Sequence, residues 1–538
     1  MKKSRNKLST ILTVASVIGI FLGSSHAFAG KIYMNGEWKN IPETVKPLDW
    51  SNAFSFGSTG KIDITALAKD FLNDSANSIN SFGEHVLSST TVIKGEVFDS
   101  VKIQKSWNAI PVIGGETILN YKNGQMIFGN ADGTALDSLI ETPTIKTAEA
   151  ASIAFSSYRG NASSTSKPEL KVLLLGSADQ KVPYLAYEVT VEDRDEMASD
   201  IHYIDAHTGR ELMTTSNIET LLDRQVISAS GTDDDLKLNE QDWTVVFSDR
   251  GCKSSLGFPG WFPSFPSRSL TKNKTLSLND LSPPNPCNRP ADAAVLASAT
   301  GAWINSTTVY NYYLNNHNRD SIDGSGMQIK SVVNFGNKFN NAAWVRTRSI
   351  MIYGMGDGEN TNDFASSLDV AGHELTHGIT ARTASLQYAD ESGSLNESYS
   401  DVFGKLVAFK NGSSRDWKLG KELFRDGTRF VRDMENPKIG HVRNYKYRGE
   451  TCSRANDFCG VHINSGITNK AAVIIASQIG LDNLAKLYYV TLTQLLRTSS
   501  NFKEARAQTE AACGSLFGAS GSECSVVASA YDQVGITK

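Results

Sequence analysis

The clearest chemistry in this chain lies in His373-Glu374-Leu375-Thr376-His377. Two histidines at i and i+4 share one face of a helix. Two neutral imidazoles so placed can hold one zinc ion, with the intervening glutamate beside the metal. Phe364, Leu368, Val370, Ala371, Leu375 and Ile379 recur at helical spacing around them, so the segment predicts a helix. A second segment, Asn396-Glu397-Ser398-Tyr399-Ser400-Asp401, opens another predicted helix with Leu395, Tyr399, Val402, Phe403, Leu406 and Val407 as its apolar stripe. Glu397 and Asp401 stand four apart and share a face. Two histidines and a glutamate make a catalytic zinc shell whose fourth position is open to water. Asp401 is then placed to orient an imidazole from behind. Taken singly, each segment also reads as a solvated polar helix face; together they read as a metal site.

A third segment is Asp457-Phe458-Cys459-Gly460-Val461-His462-Ile463-Asn464-Ser465-Gly466. It reads as a glycine-containing loop before an apolar helix at 471–479. A carboxylate five residues before His462 would raise the imidazole pKa, and a protonated His462 could donate to an oxyanion. Other chemistries lack their signatures. Gly354-Met355-Gly356-Asp357-Gly358 has neither the spacing nor the helix of a dinucleotide loop, and Gly57-Ser58-Thr59-Gly60-Lys61 is too short for a phosphate loop. No G-x-S-x-G elbow is present, which argues against a serine hydrolase.

These segments need a scaffold, and the rest of the chain supplies one. From Asp363 onward the pattern is helical almost to the end, whereas 240–360 is rich in Gly, Pro and Asn and leans to strands, with one helix predicted at 291–315. Residues 30–220 read as a separate small α+β unit. Strands are predicted at 90–93, 110–113, 171–175, 184–191 and 201–204, a helix at 147–158, and a hairpin at Asn123-Gly124. The polar stretch 210–235 reads as an exposed linker open to proteolysis. At the N-terminus, Lys2, Lys3, Arg5 and Lys7 precede an apolar run at 11–22 and Ala27-Phe28-Ala29, the pattern of an export signal cut after Ala29. No later segment has the length and apolarity to span a membrane.

The six cysteines (Cys252, Cys287, Cys452, Cys459, Cys513 and Cys524) contain no C-x-x-C pair, and an even count in an exported chain favours disulfides. Sequence neighbours point to Cys252–Cys287, Cys452–Cys459 and Cys513–Cys524, although about 15 pairings are open. The 53 basic against 57 acidic residues, net charge -4, give no basic footprint for nucleic acid. With 40% hydrophobic and 20% charged residues over 538 positions, the chain has ample material for folded cores and is not a disordered or collagen-like chain.

The three segments together make the chain resemble the thermolysin-like family of secreted zinc metalloendopeptidases. Further matches are Asn340-Asn341-Ala342-x-Trp344 and Tyr353-Gly354-x-Gly356-Asp357-Gly358. Ile110-Pro111-Val112-Ile113-Gly114-Gly115 resembles the family's first propeptide module, and Tyr203-Ile204-Asp205-Ala206-x-Thr208-Gly209 its PepSY-type module. The resemblance implies an α+β, two-lobed fold: a β-rich N-terminal lobe, an α-helical C-terminal lobe and a zinc cleft between them, preceded by an α+β propeptide. The boundaries expected are a signal peptide at 1–29, a first propeptide module at 30–135, a PepSY-type module at 136–220, a processing linker at 221–235, and lobes at 236–370 and 371–538.

By position, the resemblance implies that His373, His377 and Glu397 hold zinc, Glu374 moves the proton, and Asp401 and Asn396 support the two histidines. Tyr388 and His462 would stabilise the oxyanion, with Asp457 keeping His462 protonated. Asn341 and Ala342 would align the substrate chain, Arg432 would grip a substrate carbonyl, and Val370 and Val431 would line an apolar pocket for the residue after the scissile bond. The expected protein is a secreted, extracellular monomer acting on proteins and peptides, with its own propeptide as inhibitor and folding aid, and with neither nucleic acid nor membrane as partner. The family also carries a double calcium site. Here Asp369 and Asp416 stand at matching positions, but Ala408, Lys418 and Lys421 replace other acidic residues, and the loop at 427–429 is shorter. The expectation is that calcium is lost and that a cluster of Asp369, Asp416, Lys418 and Lys421 takes its place.

Overall fold

The computed structural model describes residues 31–34, 36–40, 65, 68, 85–123, 125–158, 160–177, 180–193, 198–220, 293–335 and 339–538. The expected signal sequence, the 221–235 linker and the Cys252 and Cys287 pair lie outside the described residues.

The first part is one twelve-stranded sheet. Its strands are β1 (Lys31–Met34), β2 (Glu37–Asn40), β3 (His85–Ile93), β4 (Asp99–Trp107), β5 (Ile110–Ile113), β6 (Thr117–Lys122), β7 (Gln125–Asn130), β8 (Ser164–Thr165), β9 (Glu169–Ser177), β10 (Gln180–Asp193), β11 (Ala198–Asp205) and β12 (Glu211–Ser216). The order is β12-β11-β10-β9-β5-β4-β6-β7-β1-β2, with β3 also on β4 and β8 on β10. The two expected modules share this sheet: β5 and β9 run parallel, with Val112 opposite Val172 and Ile113 opposite Leu173. Helix α1 (Thr147–Ser157) lays Ala150 and Ala154 against Leu185, Tyr187 and Val189. Small residues on that face let the helix sit close to the strands.

The 210–235 reading needs correction at its start. Residues 211–216 form β12, and Leu212 to Asn217 are buried. A Thr/Ser/Asn composition resembles a linker, yet β-branched threonine fits a pleated strand well. The next strand, β13 (Ile218–Thr220), leaves the large sheet and joins a four-stranded one in the order β13-β15-β16-β14. Its other members are β14 (Ser331–Val332), β15 (Ala342–Val345) and β16 (Ile350–Tyr353). Helix α2 (Ala293–His317) flanks it, matching the helix predicted at 291–315.

The remainder is helical: α3 (Leu368–Arg382), α4 (Asp390–Asn411), α5 (Asp457–Ile479), α6 (Leu481–Val490), α7 (Phe502–Phe517) and α8 (Ser522–Gln533), with a short hairpin of β17 (Lys418–Leu419) and β18 (Arg432–Asp433) after α4. One core runs through α2 to α8 and takes in Phe98 and Phe128 from the first part. A second core packs Leu173, Ala186, Tyr203, Leu212 and Met213 of the large sheet against Tyr388, Phe458 and Val461. The fold is therefore α+β, with a sheet-rich first half docked on a helical second half. Disulfides Cys452–Cys459 and Cys513–Cys524 are formed, as the sequence neighbours indicated. No helix among the described residues is long and apolar enough to cross a membrane.

Candidate metal centre and active site

Helices α3 and α4 cross where both carry glycine. A Cβ on Gly404 would stand 2.4 Å from the Asp369 carbonyl oxygen, and one on Gly372 3.0 Å from Gly404 Cα. This close approach brings side chains of the two helices together. His373 Nε2 and His377 Nε2 face each other at 2.9 Å. Glu397 completes a triangle, 3.6 Å from His373 Nε2 and 3.3 Å from His377 Nε2. Tetrahedral ligands at zinc bond lengths stand about 3.3 Å from one another, so these atoms fit one zinc ion. All three residues are fully buried. Burial lowers His373 to about 4 while Asp401 pulls it back upward, whereas burial of His377 is outweighed by Glu397, which raises it to about 9.

The outer nitrogens are held from behind. His373 Nδ1 lies 2.8 Å from Asp401 Oδ1. His377 Nδ1 lies 2.9 Å from Asn396 Oδ1 and 3.1 Å from Ser400 Oγ. Helix α4 begins at Asp390, six residues before the predicted start, so Asn396, Glu397 and Ser400 sit on settled turns. Ser400 was missed, although its i+4 spacing from Asn396 was legible.

Glu374 is wholly buried, and neither carboxylate oxygen has a hydrogen-bond partner. Burial pushes it up to about 8, His377 draws it down and Glu397 raises it. A carboxylate of that basicity can take and return a proton near neutral pH. Tyr388 donates to Glu397 Oε1 at 2.5 Å and lies 3.2 Å from His462 Nε2. Asp457 holds His462 twice, through Nδ1 at 2.6 Å and through the backbone N–H at 3.0 Å. Burial lowers the His462 pKa, but Asp457 and Glu397 outweigh it and raise it to about 10. His462 is on the first right-handed turn of α5 rather than in a loop.

The structure places the remaining expected residues as follows. Asn341 is buried just before β15, and Ala342 is the first residue of that strand. Arg432 forms a two-pronged ion pair with Asp401, at 2.8 and 2.6 Å, and its Nη2 is 3.3 Å from Glu397. A cleft of about 900 Å³ beside His462 is lined by Leu423, Phe424, Phe430, Val431 and Ile463. Val370 is buried on α3 and does not line it.

Two features were not foreseen. Glu219 of β13 is buried behind the histidines; it accepts from Asn396 Nδ2 at 2.9 Å and lies 3.7 Å from His377 Nδ1. Strand β13 pairs antiparallel with β15, Ile218 opposite Val345 and Glu219 opposite Trp344. A single carboxylate in a polar stretch gave no signal of this. The second is Lys405, whose Nζ sits among Asp369 Oδ2, Ser414 Oγ and the Lys418 carbonyl at 3.2, 2.7 and 2.9 Å. The cluster expected from Lys418 and Lys421 is thus built differently. Lys418 Nζ lies over the Phe430 ring, and Lys421 makes an exposed 3.4 Å pair with Asp416. With an ammonium on Asp369, and Gly420 N–H donating to the same carboxylate oxygen, these residues do not fit a calcium ion.

Comparison with known proteins places this arrangement in a class of metallopeptidase folds. The thermolysin metallopeptidase catalytic-domain model matches residues 286–381, and the alpha-helical-domain model of the same peptidases matches 384–536. Bacillolysin of Brevibacillus brevis is 31% identical over 468 residues, covering 81% of this chain and 82% of the relative. Bacillolysin of Bacillus caldolyticus is 39% identical over 253 residues, 45% of this chain and 46% of the relative, so this closer likeness spans about half of its length. Bacillolysin of Bacillus cereus is 28% identical with both chains fully covered. Among solved structures, a protealysin precursor from Serratia proteamaculans aligns with a TM-score of 0.42 and 27% identity, covering 47% of this chain and 83% of that one. The chain belongs to the thermolysin metallopeptidase family.

Proposed function

We propose that this chain is the precursor of a secreted zinc-dependent endopeptidase that hydrolyses peptide bonds of proteins and peptides. The observation that carries the reading is a buried three-ligand set, His373, His377 and Glu397, faced by an unpaired carboxylate, Glu374. Relatives named thermolysin and bacillolysin support it. When bound, zinc would acidify a water molecule and polarise the substrate carbonyl. Glu374 takes the proton of the attacking water and passes it to the leaving nitrogen. Tyr388 and His462 donate to the carbonyl oxygen as its charge develops, and Asp457 holds the His462 ring in place. Asn341 and Ala342 align the substrate chain beside β15, and Arg432 grips a substrate carbonyl while keeping its bond to Asp401. Val431, with Leu423, Phe424, Phe430 and Ile463 of the same cleft, favours a bulky apolar residue after the scissile bond.

Residues 30–220 act as propeptide. They cover the helical lobe until the chain is cut after β13, and the freed enzyme is an extracellular monomer. Calcium is not needed where Lys405 stands. Glu374→Gln tests the core of the reading: the variant retains stoichiometric zinc by mass spectrometry and loses at least about 100-fold in casein hydrolysis. Wild-type cleavage by that variant, or failure of the wild type to bind zinc, defeats it. Cleavage-site mapping on a denatured protein digest tests the apolar preference.

A further inference from the structure

We infer that the Cys452–Cys459 disulfide is a positioning device for His462, so that the oxyanion-side donors assemble only in the oxidised chain. The inference rests on the proposed catalytic reading. Asp457, Phe458, Cys459 and Gly460 have φ of +54°, +47°, +71° and +74°, one left-handed turn directly before the right-handed helix that carries His462. Three of these residues bear a Cβ, and each is disfavoured there by roughly tenfold or more relative to ordinary backbone. Such a turn persists only where its surroundings over-determine it.

Several restraints do so: Phe458 N–H donates to the Ser453 carbonyl at 2.8 Å, Asn464 Nδ2 donates to the Cys459 carbonyl at 3.0 Å, and two more meet at Cys459 itself. The Asn456 side chain accepts from Cys459 N–H at 3.1 Å and from Ser453 N–H at 2.9 Å. The disulfide ties Cys459, inside the turn, to Cys452, seven residues earlier and outside it. The product of the turn is the Asp457 carboxylate folded back onto both the backbone and the ring of His462. The zinc-ligand set is carried by other helices, α3 and α4. In the precursor the pair is also shielded: Thr214 N–H of β12 donates to the Cys452 carbonyl at 3.0 Å, and Leu212 and Met213 pack in the core that contains both cysteines.

The test uses enzyme matured from the full-length precursor, with kcat and KM measured on a quenched peptide and zinc measured by mass spectrometry. Cys452→Ser with Cys459→Ser is expected to lower kcat by roughly 10- to 100-fold, with KM within about twofold and zinc still stoichiometric. Cys452→Ser with Cys459→Gly removes the same bond but restores a residue at ease with positive φ, and is expected to regain most of the lost kcat. Cys513→Ser with Cys524→Ser, a disulfide elsewhere, is expected to leave kcat within about twofold. If the serine pair fails to mature, reducing purified enzyme in which Cys252, Cys287, Cys513 and Cys524 are all replaced, so that Cys452 and Cys459 are the remaining cysteines, gives the same readout, with thiols counted by mass spectrometry. The inference is overturned if the serine pair keeps full kcat while His462→Ala is impaired, if glycine rescues no better than serine, or if zinc is lost together with kcat. Full kcat in His462→Ala would instead defeat the catalytic reading beneath it.

Discussion

Each of the three ammonium protons of Lys405 has an oxygen within reach, and the side chain is 1% exposed. Its partner Asp369 is also buried, so removing one charge strands the other in a low-dielectric setting. Lys405→Met is therefore expected to cost about 3–5 kcal/mol of stability. Lys421→Ala, which breaks a half-exposed pair, is expected to change it by less than about 1 kcal/mol. Denaturant unfolding of the matured enzyme checks both, and the wild-type midpoint should be the same in calcium and in a calcium chelator. The His373, His377 and Glu397 cluster was legible because its spacing is local: i and i+4 on one helix, and one carboxylate on the next. Lys405 was not, because it meets Asp369 across 36 residues of sequence, through a helix crossing that no periodicity encodes.

That crossing is the decisive feature at the scale of elements. Apolar stripes predicted both helices, but the contact between them depends on two glycines, Gly372 and Gly404, to which an apolar periodicity is blind. Gly404→Ala would place a methyl group 2.4 Å from the Asp369 carbonyl oxygen and 3.1 Å from His373 N. The helices must separate to admit it, which is expected to cost about 1–3 kcal/mol. It should also weaken zinc binding, because His373 and Glu397 sit on opposite sides of the contact. A chelator-competition titration checks the affinity, and unchanged zinc retention would show that the crossing does not set the ligand distances. Strands β12 and β13 mark the opposite failure of legibility. Their Thr, Ser and Asn content matched a linker, whereas burial beneath the helical half decides their state. Glu219 could be placed at the site only once the partner of β13 was known.

At the scale of the whole molecule, the sheet half is bonded to the helical half through buried charge. Asp132 pairs with Lys181 at 2.7 Å and lies 3.7 Å from Arg497, which in turn grips Glu504 and donates to the Gly114 carbonyl at 2.7 Å. Asn130 Nδ2 donates to both the Leu495 carbonyl and Glu504. Gly114, with φ of +75°, is needed here because a Cβ would stand 2.1 Å from Ser499 Oγ. Burial pushes the Asp132 carboxyl up, but Lys181 and Arg497 outweigh it and hold it well below the usual carboxylate range. A carboxyl whose folded pKa is depressed contributes fully above its ordinary pKa and loses that contribution as pH falls through the lowered value. Lys105 nearby, lowered by burial to about 8, keeps its charge across the acidic range. The docked complex of cut propeptide and enzyme should therefore persist from neutral pH to about pH 4 and come apart only in stronger acid. Asp132→Asn leaves Arg497 with one carboxylate fewer, and is expected to weaken docking by on the order of tenfold or more at neutral pH. It should also flatten the response between pH 4 and pH 2. Inhibition of matured enzyme by added propeptide, measured across that range for both forms, tests this: parallel curves would show that Asp132 does not govern docking.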